Sequence, residues 1–191
     1  MRRSNRWSGD MKVETQPGDP VGDMSEVDLL VAKHKIYENS IRYVQSVDRL
    51  NYDQMMSTYW PDSTDDHGNF SGSGPEWCDF VCKMAEGLVR THHIVGNFLA
   101  DVRGSQATVE LYFRGIAIFK NSDGQSGATE LHSAGRYKDL YERRGDEWKI
   151  LRRSVIWDWS RQLPSEQEWS WLAEGAQFGG FYPDDPIYSA Y

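Results

Sequence analysis

The apolar positions of the chain follow two periods, which exchange near Arg90. Before it the spacing is helical. Leu29, Leu30, Lys33, Ile36, Tyr37, Ile41, Val44 and Val47 mark one side of a long helix. Ser25 followed by Asp28 reads as its cap, and Asp48-Arg49-Leu50-Asn51 as its end. A short second helix is predicted over Tyr52–Trp60, carrying Met55, Met56 and Tyr59 and stopped by Pro61. Asp62–Gly74, rich in Asp, Gly and Ser, reads as a loop or a short strand with a turn. Pro75 suits the first turn of a third helix, whose Trp77, Phe80, Val81, Met84 and Leu88 keep helical spacing.

After Arg90 the period is two. Strands are predicted over 91–102, 106–119, 128–143 and 147–159, separated by Arg103-Gly104-Ser105, Asn121–Gly127 and Gly145-Asp146. Long strands with short connections predict an antiparallel meander. Three N-terminal helices packed on a curved antiparallel sheet is an α+β arrangement, a cone-shaped barrel with a pocket between helices and sheet. Residues 1–25 are polar and aperiodic, broken by Pro17-Gly18-Asp19-Pro20, and read as a flexible arm before a domain over 26–161. The extension 162–191 holds Trp169, Trp171, Phe178, Phe181, Tyr182, Tyr188 and Tyr191. It is too apolar to stay unpacked, and is expected to cap the pocket or meet a neighbouring subunit.

Composition narrows the picture. At 191 residues one compact domain with tails is expected, and the 13% aromatic content suits an apolar ligand cavity as well as a core. Net charge is −8, with basic residues in isolated pairs such as Arg143-Arg144 and Arg152-Arg153, which argues against nucleic acid as a partner. No apolar run is of bilayer length, and the first residues lack the apolar segment of a secretory signal. Cys78 and Cys82, four apart on a predicted helix, are poorly placed to bridge. A cytoplasmic, reduced protein without membrane attachment is expected.

The candidate chemistry centres on Arg90–Asn97, where two adjacent histidines open a strand. Strand neighbours point to opposite faces. His93 should share its face with Val95, Asn97 and Leu99, and His92 with Ile94, Phe98 and Ala100. A histidine in an apolar pocket is a ready general base. Asp48, at the end of the first helix, can orient its ring, since a carboxylate on one nitrogen fixes the tautomer and raises the basicity of the other. Arg153, sharing a strand face with Leu151, Val155, Trp157 and Trp159, would hold an anionic leaving group or enolate-like oxygen. The plain alternatives are a satisfied core histidine at position 93 and a surface ion pair at Asp48-Arg49, worth little. Asp65-Asp66-His67, with His92 and His93, has the residue types of a metal site. No helical or strand spacing aligns three of them, so no metal is expected.

The order of helix, SVDRLNYD, helix, YWPDSTDDHGNFSG, helix, THHIVGN and strands ending in YERRGDEWKILRRSVIWDW resembles the SnoaL-like branch of the nuclear-transport-factor-two-like superfamily, over roughly residues 26–161. That branch includes hexachlorocyclohexane dehydrochlorinase, scytalone dehydratase and bile-acid dehydratase type enzymes. The resemblance implies a cofactor-independent lyase, in which a His–Asp dyad removes a proton while water or halide leaves a hydrophobic substrate. Position by position it implies His93 as base, Asp48 as its partner, Arg153 as the pocket arginine and Tyr43 as a further polar group. The dehydratases carry another carboxylate near Gly115, and this chain does not. Tyr43, Tyr112 or His67 is left to protonate the leaving hydroxyl. A narrower reading within the superfamily is the sphingomonad diarylpropane lyases, which strip water and formaldehyde from lignin-derived dimers. Their substrate would need an aromatic-walled cavity, here lined by Tyr37, Trp60, His67, Trp77, Asn97, Tyr112 and Trp157, with Trp159 beside them. The resemblance also implies a homotrimer or dimer. Two rivals share the cavity: a non-catalytic binding or assembly module, and an isomerase moving a proton within a ketone.

Overall fold

A computed structural model describes residues 24–121, 127–165 and 175–189. The expected arm falls outside them except for its last two residues, as do Trp169, Trp171 and Tyr191. Helix α1 spans Glu26–Arg49, with Ser25 accepting a hydrogen bond from the Asp28 N–H. Its buried stripe is Ala32, Ile36, Asn39-Ser40 and Tyr43-Val44, whereas Leu30 of the expected stripe is exposed. The stripe is partly polar because its polar members find partners. Asn39 donates to the Thr58 carbonyl (3.1 Å), and Ser40 bonds the Tyr141 hydroxyl (2.9 Å).

Helix α2 is shorter than expected, Tyr52–Met56. The chain then turns into strand β1, Tyr59–Asp66, and the short strand β2, Ser71–Ser73. Trp60 and Pro61 therefore belong to a strand, not to the end of a helix. Helix α3, Gly74–Met84, opens on a capping box formed by Ser73 and Glu76 and stops before Leu88. The long strands are β3 (Leu88–Arg103), β4 (Gln106–Lys120), β5 (Ala128–Arg144) and β6 (Glu147–Ser165). Gly145 takes φ +60° in the two-residue β5–β6 turn, a conformation glycine adopts without steric cost.

Strands β3 to β6 form the expected antiparallel meander. The full sheet is mixed, in the order β2-β1-β6-β5-β4-β3, because β1 runs parallel to β6 with Asp65 opposite Arg153. Helices α1 to α3 cover its concave face, giving the α+β cone. Packed between them are Ile36, Tyr43, Val44, Trp77, Leu111, Phe113, Tyr137, Tyr141 and Ile150. Beyond β6, residues 175–189 return to the end of α1. The Tyr182 N–H donates to the Arg49 carbonyl (2.7 Å), and Asn51 donates to the Tyr188 hydroxyl (3.4 Å). Among the described residues no helix is long and apolar enough to cross a membrane.

Candidate active site

Asp48 lies in the last turn of α1, where the helix dipole disfavours negative charge. Its carboxylate is held there by two donors from one residue of β3. Oδ2 accepts the His93 backbone N–H (2.8 Å), and Oδ1 meets the imidazole Nδ1 (2.6 Å). A carboxylate only accepts, so Nδ1 carries a proton, and in the neutral imidazole the lone pair is then on Nε2. Both side chains are mostly buried, at 18% and 17% exposure, so the pair is shielded yet reachable.

Nε2 lies over β4. An added Cβ on Gly115, directly opposite His93 in the sheet, would stand 2.9 Å from Nε2 and 3.0 Å from Cδ2. The missing side chain at position 115 is therefore what makes room for the base.

Deeper in the cone is a second polar assembly. The Arg153 side chain is 0% exposed and makes a bidentate pair with Asp139, Nε to Oδ1 at 2.9 Å and Nη2 to Oδ2 at 2.7 Å. Its guanidinium lies 4.1 Å from the ring centres of both Tyr43 and Tyr137, which meet each other edge-on at 6.0 Å and wall it on two adjacent sides. Burial works against the charged guanidinium. Asp139 and the tyrosine hydroxyls more than offset this, so Arg153 titrates well above its ordinary value. Next to it Tyr59 donates to Asp65 (2.5 Å), and Asp65 bonds Nδ1 of His67. His67 stacks on Trp77 with ring centroids 3.5 Å apart, and the Trp77 indole donates to the Tyr43 hydroxyl (2.8 Å). Burial pushes the Tyr43 phenol above the usual tyrosine range, with Arg153 opposing, so Tyr43 keeps its proton. Burial, and then the Asp65 charge, push the Cys78 thiol up to about 12, which leaves it no thiolate character near neutral pH.

Burial also lowers His67 below the ordinary histidine value of 6.5, with Asp65 pulling the other way. The unfolded chain then takes up a proton that the folded chain refuses. Stability is full above the ordinary value and falls as the pH drops from there toward the depressed folded one. The unfolding free energy of the protein minus that of His67→Gln should shrink as the pH goes from about 7.5 to about 5.5 in urea titrations. A constant difference would mean that His67 binds its proton equally in both states.

Comparison with known proteins places this arrangement in a family. Residues 29–154 match the SnoaL-like domain family. The chain belongs to that family. No curated protein sequence matches it. Solved structures share the fold of this SnoaL-like chain at low identity. The structure titled LinA aligns with TM-score 0.63 and 19% identity, covering 73% of this chain and 95% of that one. LinA-type3 hexachlorocyclohexane dehydrochlorinase from Novosphingobium barchaimii gives TM-score 0.61 and 20% identity, covering 73% and 94%. A putative scytalone dehydratase from Novosphingobium aromaticivorans gives 0.62 and 18%, covering 70% and 88%.

Not all the expected site residues of the SnoaL-like chain converge. His93 and Asp48 do, and Tyr43, Trp77, His67 and Arg153 form the adjoining buried network. Arg153 departs from its expected role: Nε and Nη2 are taken by Asp139, Nη1 donates to the Tyr59 hydroxyl (3.5 Å), and the side chain is fully buried. Trp157 is 49% exposed but pinned, its Nε1 on the His67 carbonyl (3.0 Å) and its ring edge-on to Phe113 (5.5 Å). Tyr112 belongs to the outer face, 41% exposed with Arg136 over its ring. Trp60 is buried elsewhere, between Arg144 and Lys149, and donates to the Glu142 carbonyl (2.9 Å). Tyr37 packs edge-on against Phe98, partly exposed.

Asn97 is displaced by a β-bulge: it takes φ +48° where the β3–β4 register slips between Gly96 and Leu99. The extra residue reverses the alternation. Phe98 and Ala100 join Val95 inside, Leu99 turns out at 69% exposure, and Asn97 is exposed. Sequence reasoning missed Asp139, although the alternation Tyr137, Asp139, Tyr141 marks a carboxylate on an apolar face that needs a buried cation. The sequence sets Asp65 and His67 together only as members of a metal-ligand set, in a segment that reads as a loop or a short strand with a turn, and not as a pair. Among the described residues no three His, Cys, Asp or Glu side chains gather as metal ligands.

Proposed function

We propose that this SnoaL-like protein is a cofactor-independent lyase acting on a hydrophobic, hydroxylated aromatic molecule. The observation that carries this reading is the Asp48–His93 Nδ1 hydrogen bond (2.6 Å), with Nε2 turned to the open space over Gly115. In the proposed step Nε2 takes a proton from substrate carbon or oxygen. The electron pair left behind forms a new π bond as the hydroxyl departs, protonated, as water. Asp48 positions the ring and balances the imidazolium. Tyr43, which keeps its phenolic proton, is the proposed donor toward the departing oxygen; the ring proton of His67 is held by Asp65, and Tyr112 faces the wrong way. Arg153 acts by holding the Tyr43 and Tyr137 rings. The pinned, half-exposed indole of Trp157 offers an aryl group a flat apolar face.

With a diarylpropane diol the same groups could release formaldehyde. Ionising the phenol expels the benzylic hydroxyl to a quinone methide. Deprotonating the terminal hydroxyl then forms C=O as the adjoining C–C bond breaks, and its electrons restore the ring to give a stilbene. A screen of hydroxylated aromatic dimers, steroids and halogenated rings, read by product mass, tests the reading. Loss of water supports a dehydratase, and loss of water plus formaldehyde the diarylpropane reaction. An isomer of unchanged mass, or binding without product, contradicts a lyase.

The domain over 26–161 is proposed to close through its own C-terminal residues, whose docking on α1 starts one residue from Asp48. The sheet face turned away from the helices exposes Ile94, Leu99, Tyr112 and Trp159, and we assign it to a homotrimer or homodimer contact. Light scattering should then give a multiple of the 22.0 kDa chain mass, falling to one chain for Ile94→Arg. A monomeric parent protein would contradict this.

A further inference from the structure

We infer that Ser133 is a substrate-binding residue, and that its hydroxyl and His93 Nε2 together bracket a hydroxyl oxygen of the substrate above Gly115. The inference rests on the lyase reading and narrows it: the proton that His93 takes is an O–H proton.

Three strands build this seat in one row. His93 of β3 is opposite Gly115 of β4, and Gly115 is opposite Ser133 of β5. From the point where a Gly115 Cβ would stand, His93 Nε2 is 2.9 Å away and Ser133 Oγ is 3.3 Å away. Base and hydroxyl thus border the same space over Gly115, which any larger side chain there would crowd. Ser133 Oγ has no hydrogen-bond partner among the described residues, and the side chain is only partly buried. The next inward row, Phe113–Gly135–Trp157, sets the exposed indole beside it.

The donor pattern selects the ligand. With Nδ1–H on Asp48, the Nε2 of the neutral ring accepts, and Ser133 Oγ–H can donate. An alcohol or phenol satisfies both at once, giving its proton to Nε2 while its oxygen accepts from Ser133. As the O–H bond breaks, the pair stays on oxygen and the Ser133 hydrogen bond strengthens onto the developing oxyanion. A C–H group or a halogen would leave Ser133 unpaired. An aryl group two or three bonds from the oxygen can reach Trp157. The class is therefore an arylalkanol.

The test is a tryptophan-fluorescence titration of the full-length protein with 1,2-diphenylethanol and with 1,2-diphenylethane. The alcohol should bind about tenfold tighter, the preference of a site whose polar groups expect a hydroxyl. Ser133→Ala should reduce that preference to about twofold or less, with unchanged near-ultraviolet circular dichroism. Gly115→Ala, whose Cβ meets the ring edge of His93, should abolish it. An equal preference in the protein and in Ser133→Ala, or none in the protein, overturns the inference. Because binding is read without turnover, a Ser133-dependent preference in a protein that yields no elimination product would support the seat and sink only the lyase reading.

Discussion

Replacing His93 with alanine is expected to lower kcat about 1,000-fold on a substrate found by product mass, with secondary structure and thermal midpoint little changed. The loss should fall on kcat more than on KM, because proton removal belongs to the transition state. Asp48→Asn should cost about 100-fold. The carboxylate accepts from both the backbone N–H and Nδ1–H of His93. The amide keeps one acceptor and turns an NH2 toward a donor, so one of the two bonds is lost and the ring tautomer is freed. Steady-state kinetics at neutral pH decide the matter. A His93→Ala enzyme within tenfold of the parent would mean that another group takes the proton.

The other large effect is on stability. Arg153→Met leaves the Asp139 carboxylate with no countercharge in a site from which water is excluded. Stranding one partner of a buried ion pair costs about 3–5 kcal/mol. Asp139→Leu should cost a similar amount. The double variant removes both charges and should regain much of the loss, since apolar replacement of a whole buried pair is often neutral. Urea denaturation of the four proteins measures the coupling. Single changes each under about 1 kcal/mol, or a double variant equal to the sum of the singles, would mean that the pair does not act as a coupled buried support beneath Tyr43 and Tyr137.

The parts of this fold legible in the sequence are those where one local rule acts without competition. The four long strands follow from period-two runs broken at Gly104 and Gly145. The pairing of Asp48 with His93 comes from the family resemblance, since spacing alone allows a core histidine and a surface ion pair as readily. What escaped has long-range causes. β1 carries Asp62, Asp65 and Asp66, poor strand formers, and its inward positions Ser63 and Asp65 are polar. It is a strand because β6 offers an open edge and because Tyr59 and His67 satisfy Asp65. Asn97 was lost to a bulge, which no alternation rule registers. Trp60 looked like a cavity wall because aromatic content does not say which face an indole covers. Arg153 was placed correctly inside but given the wrong partner, since the alternation that buries it also buries Asp139.

The central claim is that Asp48 keeps the ring proton of His93 on Nδ1 and so presents an open lone pair at Nε2. Long-range 15N–1H correlation spectra of the imidazole ring at neutral pH test it most directly. The expected spectrum shows a protonated Nδ1 and an unprotonated Nε2, with the tautomer mixing once Asp48 becomes asparagine. A ring whose proton sits on Nε2 in the unaltered protein would contradict the account.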